Sequence, residues 1–122
     1  MSNVPVSFHP MTREQAHQRI EKEFSTASQA GTLGNDGMMR VCARRAAGIA
    51  VSYWLESHHR PNWGPDVMTQ LRSVQLDTSI PQPVRDASQR LTTKITEQFT
   101  SPFSTNPIED SKIIINHFME TS

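Results

Sequence analysis

Arg44, Arg45, His58, Arg60 and Trp63 are the residues of this chain whose types and spacing could serve a binding or reacting site. An arginine presents a planar, permanently charged fork that grips a phosphate or carboxylate through two parallel bonds. A histidine exchanges a proton near neutral pH, and an indole face can stack on a base. At about 100° per residue along 35–60, Arg45 shares a strip with Ser52 and Glu56, whereas Arg40 and Arg44 share another with His58. Each strip reads either as a solvent-facing edge whose arginine stems cover apolar surface, or as a groove wall where Arg44 or Arg45 holds an anion. His58-His59-Arg60 with Trp63 is read as a loop anchored to the core by its tryptophan, because a lone aromatic usually packs. The sharper alternative is an acid–base group beside a cation and a stacking platform.

Other chemistry is missing from the pattern. Adjacent histidines project differently and make a poor metal pair, and Cys42 lies far from them in sequence, so no metal site is assigned. There is no Gly-rich phosphate loop, no H-E-x-x-H and no G-x-S-x-G, and no cofactor or catalytic residue is assigned. Glu109 and Asp110 read as favourable negative charge at a helix N-terminus.

The chain must supply the elements that position these residues. Its 122 residues suit one domain with a core of its own. Twelve basic and twelve acidic residues cancel, which removes the electrostatic footprint of a general nucleic-acid binder. The single Cys42 cannot form an internal disulfide, and no leader pattern opens the chain. Apolar runs such as Ala46–Val51 are far shorter than a membrane span, so a cytoplasmic protein is expected.

Residues 1–11 carry two prolines without periodicity and are taken as a flexible lead-in, with 12–122 forming the domain. Thr12 and Gln15 match a capping box, opening a helix that buries Ala16, Ile20, Phe24 and Ala27 and ends near Ala30, with Gly31 in the left-handed position. A second helix, Asp36 to Ser57, is apolar most of the way round, as the spine of a helical domain is. The prolines of 58–65 break it; Pro65 then starts a third helix held by Met68, Leu71 and Val74. Val84, Ala87, Leu91, Ile95 and Phe99 mark a fourth helix. Asn106-Pro107-Ile108-Glu109 opens a fifth, Asn106 capping and Glu109 completing the box. The expectation is an all-α, up-and-down bundle of about five helices.

Two segments resemble the HEPN superfamily (higher eukaryotes and prokaryotes nucleotide-binding): Arg44-Arg45-Ala46-Ala47-Gly48-Ile49-Ala50 on the second helix, and Asn106-Pro107-Ile108-Glu109-Asp110-Ser111-Lys112 opening the last. The resemblance implies an up-and-down helical bundle, a homodimer and a nucleotidyltransferase-type protein partner. Active ribonucleases of that family carry an arginine, four to six residues, then a histidine. None of His9, His17, His58, His59 and His117 has an arginine at that spacing, so no catalytic residue carries across. The resulting expectation is a non-catalytic module that binds a ligand or protein, with Arg44, Arg45, His58, Arg60 and Trp63 as candidate binding residues. Nucleotide or RNA as ligand finds no support in the net charge. The alternatives are a divergent ribonuclease using Arg44 or Arg45 with His58, or a purely structural assembly unit. A homodimer is also expected because the second helix offers more apolar surface than a five-helix monomer readily covers.

Overall fold

The computed structural model describes residues 10–93 and 106–121, and these form α1 (Arg13–Thr32), α2 (Asp36–Leu55), a short 3₁₀ turn (Pro61–Trp63), α3 (Val67–Leu76), α4 (Gln82–Thr92) and α5 (Pro107–Glu120). No strand occurs among the described residues. No helix among them is long and apolar enough to cross a membrane. The all-helical bundle expected from the periodicity is therefore what the chain adopts.

Local signals explain most helix starts. At α1, Thr12 accepts from Gln15 N while the Gln15 side chain bonds back to Thr12 N, the reciprocal box that satisfies two orphan donors. Asn35 caps α2 by accepting from Met38 N, and Asn106 caps α5 by accepting from Glu109 N at 2.9 Å. Four details differ from the sequence reading. The α1 helix continues to Thr32, and the left-handed glycine is Gly34 (φ 77°), not Gly31. Pro65 lies outside α3: Asp66 is the N-cap and forms a capping box with Thr69. At α5 only the forward half of the expected box is present, from Glu109 N to Asn106. The α2 helix stops at Leu55, two residues earlier than expected. Ile95, Phe99 and the loop through Thr105 lie outside the described residues.

Long-range bonds set the helix directions. Met11 N donates to Glu56 and Arg13 donates to Met119 O, so the start of α1 lies at the ends of both α2 and α5. Ser111 donates to Ala43 O at 2.8 Å, while Phe118 packs edge-on against Trp54, so α5 runs parallel to α2. Arg90, near the end of α4, pairs with Asp110 at the start of α5, so α4 is antiparallel to both. The order α1, α2, α4, α5 thus alternates up and down, and short α3 sits within the α2–α4 connection.

Helix α2 is the spine. It packs chiefly on α1 and α5 and also touches α3 and α4. Ala43, Ala46, Ala47 and Ala50 are fully buried, and such small side chains let neighbouring backbones come close. The closest approach is at Gly48, where a Cβ would stand 2.5 Å from Val67 Cγ2 on α3. Trp54, Trp63 and Phe118 then fill the end of the core where α2 and α5 terminate. Of the large apolar side chains of α2, Met38 counts as exposed and Met39, Val41, Ile49, Tyr53 and Leu55 are partly buried. The surplus apolar face expected to drive dimer formation is accordingly reduced to these side chains.

Candidate functional site

Two of the three arginines of α2, Arg40 and Arg44, converge on the end of α4. The last carbonyls of a helix lack intrahelical donors and carry its negative dipole, so a cation from outside satisfies both needs. Arg44 Nε donates to Leu91 O at 2.7 Å. Arg40, one turn earlier, donates through Nη2 to Arg90 O and to Thr93 O, the latter at 3.1 Å. The buried Arg40 Nε has no partner among the described residues. Burial, then the neighbouring guanidiniums of Arg40 and Arg72, push Arg44 below the usual arginine value. Burial does the same to Arg40, with the nearby Asp110 working in the opposite direction. Asp110, 2% exposed, sits 2.9 Å from both Nε and Nη2 of Arg90. It is a buried ion-pair partner rather than mere dressing of a helix start.

His58, Arg60 and Trp63 assemble elsewhere, around Trp54 at the other end of α2. His58 lies flat on the Trp54 ring, centroids 4.3 Å apart and planes within 5°. Its Nδ1 is 3.1 Å from Trp54 O and 3.0 Å from Ser57 Oγ. The Arg60 guanidinium stands 5.3 Å from the Trp54 centroid and reaches Asp77 at 3.5 Å. Trp63, 3% exposed, stacks on Trp54 and meets Phe118 edge-on, which is the anchoring role expected of it. Its indole is core.

The sequence-derived residues therefore separate into three places. Arg44 is at the α4 end, Arg45 is exposed close to Cys42 and Glu23, and His58, Arg60 and Trp63 are grouped about Trp54. Sequence reasoning placed Arg40 on one strip with Arg44 without making it a candidate binding residue, and it singled out neither Arg72 nor the Arg90–Asp110 pair. The four-residue spacing of Arg40 and Arg44 put them on that strip; nothing in the sequence joins residues 72, 90 and 110 to them. Burial raises the Cys42 thiol, with Glu23 adding to the shift, which makes it a poor nucleophile at neutral pH. Among the described residues no group of three or more metal-binding side chains assembles. No protein-family model, curated protein or solved structure matches the chain.

Proposed function

We propose that this chain is a non-catalytic, HEPN-like helical module that acts by binding a ligand or a protein. The observation that carries this reading is the commitment of α2's inward arginines to the end of α4, with the nearest candidate base at the opposite end of the same helix. Cleaving RNA by acid–base chemistry needs a base within hydrogen-bond reach of the attacked hydroxyl and a cation where phosphorane charge develops. Arg44 and Trp54, on which His58 lies, are ten residues apart along α2, about 15 Å of helix. One subunit thus keeps the α2 arginines apart from this base, and Arg60, which does stand near it over Trp54, is paired with Asp77. The resemblance adds a homodimer and a nucleotidyltransferase-type protein partner to the same reading, and the short apolar runs of the sequence add a cytoplasmic setting.

The test is incubation of purified protein with a mixed RNA pool. Intact RNA is the expected result. Cleavage lost in both Arg44→Ala and His58→Ala variants, each shown to be folded, would replace this reading with a ribonuclease assembled across two subunits.

A further inference from the structure

We infer that the surface formed by Arg44, Arg72 and Leu76 beside the end of α4 is a docking site for an acidic peptide segment of a partner protein, one whose carboxylates flank a leucine-sized apolar side chain. The inference rests on the binding reading above and gives it a surface and a ligand chemistry.

Charge is the first support. Arg40, Arg44, Arg72 and Arg90 gather where α2, α3 and α4 meet, yet the buried Asp110 is taken up by Arg90. Among the described residues no carboxylate forms an ion pair with Arg40, Arg44 or Arg72. Asp66, which feels Arg72, is engaged in capping its own helix. The carbonyls that accept from Arg40 and Arg44 are neutral groups carrying only partial charge, so among the described residues the cluster keeps a positive excess. Nε of Arg44 is used by Leu91, and its terminal nitrogens have no partner among the described residues. A carboxylate fits that unused half of the fork.

The neighbouring surface selects the source of the carboxylate. Ser88 donates to Leu71 O, and Gln75 donates to Thr92 Oγ1, so α3 lies against the last turns of α4. Arg72 and Leu76 follow at a four-residue spacing on that helix, both exposed, and Leu76 is 81% exposed at its last residue. Leu76 adds exposed apolar contact area next to Arg72, and arginine is a side chain enriched at protein interfaces. A nucleic-acid backbone has no use for the leucine, and a neutral chain gives a polyanion no long-range attraction.

Fluorescence anisotropy with a labelled peptide alternating Asp or Glu with Leu tests this on the full-length protein. The expected result is saturable binding, absent for the same peptide with its acids replaced by Asn and Gln. Arg72→Glu is expected to weaken binding by about tenfold or more and Leu76→Ser by a few-fold. Both positions are exposed, so an unchanged thermal midpoint will confirm that folding is intact. Failure of the acidic peptide to bind, or binding indifferent to Arg72→Glu, overturns the inference. A labelled single-stranded oligonucleotide that binds more tightly than the peptide, and responds to Arg72→Glu, overturns it in favour of a phosphate ligand. Running that oligonucleotide on a gel afterwards tests the parent reading separately, since cleavage would refute non-catalytic binding whatever the peptide does.

Discussion

Single side chains carry two measurable consequences. Asn106 accepts from Glu109 N at the start of α5, so Asn106→Ala removes a cap and is expected to cost about 0.5–2 kcal/mol, read as a lower urea midpoint at unchanged slope. His117 is held below the ordinary histidine value mainly by burial, with the nearby Glu120 opposing the shift. The unfolded chain then binds the proton more readily than the folded one, so stability rises with pH through this window. On acidification it is lost from about the ordinary value near 6.5 downward, until the folded histidine is itself protonated. The fall in melting temperature between neutral and mildly acidic buffer should be shallower in His117→Gln, and an identical slope would refute the assignment. Caps such as Thr12 and Asn106 were legible in the sequence because they depend on residues three apart. The partner of Asp110 was not, because Arg90 meets it only after two helices have packed.

At the level of helices, a recurring device is a carbonyl end satisfied from outside. Neither α3 nor α4 has an acid in its first turn, and α3 has no base in its last. Arg85 on α4 donates to Gln75 O at the end of α3, Arg40 and Arg44 on α2 serve the end of α4, and Arg13 on α1 serves the end of α5. Arg85→Ala is expected to cost about 0.3–2 kcal/mol, with a decreasing loss as salt is raised. The contact between α2 and α3 depends instead on having no side chain at Gly48. Gly48→Ala drives a methyl into Val67 and should destabilise by about 1–3 kcal/mol despite alanine's better helix propensity. Gly48→Ala with Val67→Ala should recover part of that loss, and a single variant more stable than the parent would refute the close packing. Periodicity placed the helices well because their buried residues fall at three- or four-residue spacings, as Ala16 with Ile20 and Ala27 with Ala30 do. It failed at Pro65, where an N1 preference was outweighed by Asp66, whose side chain bonds Thr69 N directly. The three-place scattering of the candidate site was illegible for a related reason: the helical wheel puts Arg44 and His58 on one strip, but α2 ends at Leu55 and the chain turns back over Trp54.

For the whole molecule, the chief expectation concerns assembly. A homodimer follows from the family resemblance, while the apolar argument for it has weakened, since α2 packs against α1, α3 and α5. Light scattering at micromolar concentration is expected to give the mass of two chains, and a stable single-chain mass would reject the dimer. Leu33, Met38 and Leu76 are the large apolar side chains left exposed among the described residues. Surface changes at Leu33 or Met38 that alter the mass would locate an interface near the α1–α2 turn, away from the Arg72–Leu76 surface.

The bond from Ser111 to Ala43 spans 68 positions, and the one from Arg13 to Met119 spans 106. During synthesis, therefore, α1 with α2 and α3 with α4 can pair as soon as each emerges from the ribosome, but the face of α2 that α5 covers stays bare until translation has delivered Phe118. A nascent chain stalled before that point leaves alanines and Trp54 uncovered, a target for chaperones and for proteases. The rate at which the last helix docks, rather than the formation of the earlier ones, sets how long that exposure lasts.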